Sequence, residues 1–188
     1  MQSFLRTSAN AMRRAVRPFR RFATTDDGVT AVEFALVAAP FFGLMFALLE
    51  TALIFFAQQT LETAVGNAAR EIRTGQAQQQ NFSQSTFKDQ ICQQIQVLLD
   101  CSGKLQLDVR TYATFDSINL TPVTDATGKI DPSNFIYSPG HGTDIVTVRA
   151  FYEWPTWSKL FGLHLNSLAD GNHLLAAASA FRNEPFPW

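Results

Sequence analysis

The sequence predicts an α+β protein. One long N-terminal helix, first transmembrane and then amphipathic, leads into a small domain with one main helix and an antiparallel sheet of about three strands. Three observations predict this. Residues 29–49 form 21 positions with only Thr30 and Glu33 polar. Apolar residues then recur at spacings of three and four as far as Ile72. Beyond residue 104 the period drops to two.

The chain has 188 residues, enough for one modest domain and its appendages. Its charge is unevenly placed. The first 28 residues carry Arg6, Arg13, Arg14, Arg17, Arg20 and Arg21, six of the 15 basic side chains, and two of the 16 acidic ones, Asp26 and Asp27. That is a net of +4, against −5 for the remainder. A basic arm can bind nucleic acid. Here an apolar run follows it directly, and basic-before-apolar is a membrane topology signal, so no nucleic-acid partner is expected.

Residues 34–49 read FALVAAPFFGLMFALL, with no charge. A helix needs about 20 residues to cross a hydrocarbon core roughly 30 Å thick. The run is long for a cleaved secretory segment, and no A-x-A-like site sits close behind it. It reads as one transmembrane helix over 29–57. The alternative is a buried core helix. Arginines before the span keep the N-terminus cytoplasmic and place the rest of the chain across the membrane.

Past the span, Ala57, Leu61, Ala64, Ala68 and Ile72 form an apolar stripe, with Glu62, Asn67, Arg70, Glu71 and Arg73 mostly off it. The extension covers 58–75, and Gly75 fits a C-cap. QAQQQNFSQS (76–85) reads as a polar linker. Helical spacing resumes over 86–100 with Phe87, Ile91, Ile95, Leu98 and Leu99, and Ser85 or Thr86 fits the cap.

Leu105, Leu107, Val109, Thr111 and Ala113 alternate with Gln106, Asp108, Arg110 and Tyr112, a half-buried strand. Residues 116–144, rich in turn formers, read as a long loop or weak hairpin. TDIVTVRAFYEW (143–154) is a second strand with Val146, Val148, Ala150 and Tyr152 on one face, ended by Pro155. TWSKLFGLHL (156–165) is a short amphipathic segment. The alanines of LLAAASAFRNE (174–184) suit a helix, but Asp-Gly-Asn before it and Pro185 and Pro187 after it favour a strand.

Cys92 and Cys101 are the two cysteines. An even count in an oxidising compartment favours a disulfide; two separate thiols are the alternative. A continuous helix would hold residues nine apart at about 13.5 Å. Bridging needs Cα atoms within about 7 Å, so a bridge requires the helix to end before Cys101. Ser102-Gly103 fits such a stop.

No catalytic set is expected, and the chain reads as a non-enzyme without cofactor or metal. His141 lies in a turn, PGHGTD. His164 and His173 flank a loop, and no spacing resembles a metal site. Neither a P-loop nor G-x-S-x-G nor G-x-G-x-x-G occurs. Asn81-Phe82-Ser83 and Asn119-Leu120-Thr121 match the glycosylation sequon, a tripeptide that chance produces often. Aromatics such as Trp154, Trp157, Phe181, Phe186 and Trp188 read as core or interfacial residues.

Glu33 is the unusual residue. A carboxylate at the bilayer centre costs roughly 2.5–3.5 kcal/mol on insertion scales and normally finds a partner. It can instead snorkel to the nearby headgroups. Gly28 immediately precedes the apolar helix, and Glu33 is the fifth residue after it. Cutting after Gly28 would free an α-amine at Val29, at the edge of lipid. When helices stack side by side with an axial offset, Glu33 of one meets Val29 of another. Two costly charges then compensate and set the register. Pro40 cannot donate to the Leu36 carbonyl, so a kink or loosened turn is expected there, or simply a tolerated membrane proline. Glu50 lies about 31 Å along the helix from Val29, near the outer interface or against a partner.

At these residues the chain resembles the type IV pilin superfamily. The form Gly28-VTAV-Glu33-Phe34, followed by ALVAAPFFGLMFALLE and FFAQQTLETAVGNAARE, resembles the TadE-like pseudopilins of tight adherence (Flp) pili over about 26–74. The Cys92/Cys101 pair and the closing FRNEPF of 181–186 are also similar. TadG-like relatives share the anchor but usually carry a much larger domain. The leader is long for a major pilin, and Asp26-Asp27 place acid where a basic residue is common.

The resemblance implies a pilin-like fold and a basic leader over 1–28, cut between Gly28 and Val29 by a membrane-embedded prepilin peptidase. The mature chain would stay in the bacterial inner membrane as a single pass, N-terminus cytoplasmic, with the 76–188 domain periplasmic, or enter the pilus. It would act as a minor subunit in assembly. Its partners would be other pseudopilins, the major pilin, the inner-membrane assembly platform and membrane lipid. The alternative is a signal-anchored periplasmic binding or sensor domain, uncut at Gly28.

Overall fold

A computed structural model describes residues 28–101, 103–120, 123–157 and 167–187. The leader arginines, Ser102, Thr121, His164, Trp188 and most of the 156–165 segment lie outside them. The chain divides into two compact units, Met1–Phe46 and Ala47–Trp188.

In the first unit the described residues after Gly28 belong to α1, which spans Val29–Arg73 and is assigned as helix straight through Pro40. Val32, Phe34, Leu36, Val37, Phe41 and Leu44 are each more than half exposed here. This helix is long and apolar enough to cross a membrane.

In the second unit α1 changes character. Ala57, Leu61, Ala64, Ala68 and Ile72 are all buried, joined by Val65 and Ala69. The helix ends as its sequence dictates. Gly75 adopts φ 79°, its N–H reaching the Ile72 carbonyl at 3.0 Å, a left-handed cap that glycine takes without a Cβ penalty.

The supposed linker is not wholly irregular. Gln76–Gln79 forms one helical turn, α2. The next helix, α3, spans Gln84–Ile95. Its cap is Ser83, not Ser85 or Thr86: the Ser83 hydroxyl accepts from the Thr86 N–H at 3.1 Å. It also stops before residue 100, because the chain must turn back for Cys101. Phe87, Ile91 and Ile95 stay buried, and Leu99 joins them from the turn beyond.

Three strands follow: β1 (Leu105–Tyr112), β2 (Ile145–Pro155) and β3 (Asn172–Arg182). They form an antiparallel meander in the order β1-β2-β3. Its inner face presents Leu105, Leu107, Val109, Val146, Val148, Ala150, Tyr152, Leu175 and Ala177 to the apolar side of α1 and α3 in one core. The fold is thus α+β, and the ambiguous alanine segment is a strand.

The outer face is less open than simple alternation suggests. The 113–144 connection folds back over it. A bridge between Thr124 and Ile130 makes a small hairpin within that connection, and Tyr137 bridges to Val109. The Val109 N–H donates to the Ile136 carbonyl at 2.8 Å and the Ser138 N–H to the Val109 carbonyl at 2.9 Å. These bonds occupy part of the free edge of β1, which would otherwise be a template for pairing. Phe135 lies over Phe151, ring centroids 5.5 Å apart.

Candidate processing and assembly segment

The segment begins where α1 begins. Gly28 is the last residue before the helix and Val29 the first within it. A Cβ at Gly28 would meet nothing within 4 Å, so the residue is not held there by crowding. Val29 is 51% exposed. Glu33 is four residues on, one turn above Val29 on the same side and about 6 Å along the axis. Its side chain is exposed and has neither ion pair nor hydrogen bond among the described residues. Phe34 beside it is 70% exposed.

This arrangement has a definite electrostatic consequence. The N-terminal turn of a helix carries a partial positive charge from its unpaired N–H groups. An ammonium at Val29 would be repelled by that charge as well as by the loss of water. A nearby carboxylate would relieve both, and Glu33 lies one turn from that position.

Pro40 and Gly43 are also exposed or nearly so, and Gly43 has open space around it. Glu50, by contrast, has a partner within its own unit. Its Oε1 accepts from the Trp157 backbone N–H at 2.6 Å. Farther along, the Gln58 amide donates to the Ala176 carbonyl at 2.8 Å, fastening α1 to β3.

The cysteines are joined. Cys92 and Cys101 form a disulfide with Cα atoms 5.9 Å apart, within the range that bridging needs. The bridge ties the C-terminal part of α3 to the approach of β1.

Several determinants escape a linear reading of the sequence. Asp108, placed by alternation on the polar side of β1, is fully buried, with Arg149 opposite it in the register. Its Oδ2 accepts from Arg149 Nη2 at 2.5 Å and from Arg110 Nε at 2.9 Å, and its Oδ1 from the Ile136 N–H at 3.0 Å. Burial pushes this carboxyl up, but hydrogen bonds from Arg110, Arg149 and Ile136, with the Arg149 charge, outweigh it and hold the group below the usual carboxylate range. Arg110 also donates to the Asn134 carbonyl. The only hint in the sequence is an acid between two core residues, Leu107 and Val109.

A second polar cluster ties the ends of the domain together. The Gln78 and Asn183 amides both donate to the Pro139 carbonyl, at 2.9 and 3.0 Å. Nearby in the chain, the Tyr137 hydroxyl is buried without a hydrogen-bond partner among the described residues. Burial and the Glu71 charge push its phenol up to about 12. Burial also raises the Glu71 carboxyl.

Residues 28–70 match the family model described as TadE-like protein. The match takes in Gly28, Val29, Glu33, Phe34, Pro40 and Glu50, and ends inside the buried stripe of α1. No curated protein and no solved structure matches the chain.

Proposed function

We propose, from the TadE-like character of residues 28–70, that the chain is a minor pseudopilin serving assembly of a tight adherence (Flp) pilus. The observation that carries this reading is the spacing at the head of α1. Gly28 directly precedes the helix, and an exposed Glu33, without an ion pair among the described residues, sits one turn into an exposed apolar helix. A carboxylate there is a cost to a plain anchor and an asset to a subunit whose neighbour offers a new N-terminal ammonium.

On this reading a prepilin peptidase cuts between Gly28 and Val29. The mature chain stays in the inner membrane through 29–57, with 58–75 continuing the helix into a periplasmic domain of residues 76–188. Glu33, with Phe34 beside it, takes the Val29 amine of an adjacent pilin or pseudopilin. Pro40 supplies a point where the helix bends as subunits pack. The chain works as a non-enzymatic subunit, and its partners are other pseudopilins, the major pilin and the membrane assembly platform. The disulfide suits an oxidising compartment.

Deletion and complementation test this in cells that assemble such pili. Loss of surface pili on deletion, restored by the wild-type chain, supports the reading. Normal piliation without the chain contradicts it and favours an anchored binding or sensor domain.

A further inference from the structure

We infer that the chain leaving β2, at Trp157, rests in the bilayer interface and gives the domain a second lipid contact beside α1. This rests on α1 crossing the membrane. The Glu50–Trp157 hydrogen bond, 2.6 Å, ties the Trp157 backbone to the helix. Thr156 just before it is held by its hydroxyl on the Gly171 carbonyl at 2.6 Å. Both ends of this short stretch are therefore positioned, yet the Trp157 side chain is 74% exposed.

Apolar exposure on α1 does not stop at Glu50. Leu53, Phe55 and Phe56 are 49, 68 and 62% exposed, and the first fully buried position is Ala57. At about 100° per residue these three side chains share an arc of about 160°, on the side of the helix away from Ile54, which packs against the domain core. They continue the exposed apolar surface of the span along the same unbroken helix, so the lipid that covers the span covers them as well. The apolar level thus reaches about Phe56, some 9 Å beyond Glu50 along the axis. Glu50 then lies inside that level, and so does the Trp157 backbone bonded to it.

The polar groups at this depth are consistent with low water. The Glu50 carboxylate has a backbone donor, and the Thr51 hydroxyl bonds back to the Ala47 carbonyl at 2.8 Å. Tryptophan, with an apolar body and one N–H, is the side chain most at home among headgroups.

The test uses the full chain in vesicles of phosphatidylethanolamine and phosphatidylglycerol, plain or brominated on the upper acyl carbons. The double variant W154F/W188F leaves Trp157 as the sole tryptophan. Bromine should remove most of its emission, and aqueous acrylamide should remove little. If the double variant fails to fold, the wild type and W157F are compared, and W157F should lose the bromine-quenched share. Emission unchanged by bromine overturns the inference, whether acrylamide quenches it (water) or not (burial against protein). A chain that fails to float with the vesicles at all overturns the membrane reading with it; flotation without bromine quenching overturns this inference alone.

Discussion

Phe186 lies against Gly75 so closely that a Cβ built on the glycine would sit 2.6 Å from the ring. The same tail residue closes on Gly142, where a Cβ would come 2.6 Å from the Phe186 carbonyl oxygen. The Glu184 N–H meanwhile caps the Arg73 carbonyl at 2.8 Å. The C-terminal tail is thus clasped between the end of α1 and the 139–144 loop.

Gly75→Ala should therefore be costly on two grounds. It places a side chain in left-handed backbone, worth about 1–2 kcal/mol, and it displaces the Phe186 ring. Thermal unfolding of the detergent-solubilised chain should show a clear fall in midpoint. Gly103→Ala, with a similar φ of 80° but no neighbour within 4 Å, should show only the backbone part.

Asp108→Asn should destabilise by about 3 kcal/mol or more, because it leaves a buried Arg149 charge without its anion. The Arg149 side chain is only 6% exposed, so water gives little relief. The wild type should also show a linked pH dependence. Its folded-state carboxyl lies below the unfolded value, so the contribution is fully present above about pH 4. It is lost as the pH falls through the folded-state value. Unfolding midpoints of wild type and D108N, measured against pH, should converge in acid.

Replacing Cys92 and Cys101 together by serine should lower stability by somewhat under about 3 kcal/mol, as expected for so short a closed loop. Denaturant unfolding of the double variant, against wild type without reductant, measures it. The core beneath, including Phe87 and Ile91, should keep the fold.

These cases also show which features a sequence can carry. The stripe on α1 was legible because helical period, burial and the Gly75 stop all agree at Ala57, Leu61, Ala64, Ala68 and Ile72. The alanines of β3 were ambiguous by propensity, and turn residues on both sides decided them. The α3 cap fell on Ser83 and not on Ser85 or Thr86, because several hydroxyls in this stretch are competent and only the geometry of the preceding turn selects one. Alternation put Asp108 on the right face, but its burial was not legible, because its partner lies 41 residues away and becomes adjacent only once β1 and β2 are in register. At the head of α1 the spacing of Gly28 and Glu33 is visible in the chain itself, whereas the Glu50 bond to Trp157 depends on the path of the strand.

Glu33→Gln separates processing from assembly. It should leave the cut after Gly28 intact, since the scissile bond precedes it. It should reduce assembly or pseudopilin pairing, since an amide cannot neutralise an ammonium. Mature-chain mass and surface piliation, measured on the same strain, check both halves.

The mass of the chain's N-terminus after coexpression with a prepilin peptidase is the most direct measurement of all. The processed chain should begin at Val29, shorter by the 28-residue leader. A chain that still begins upstream of Val29 would contradict its assignment as a pseudopilin.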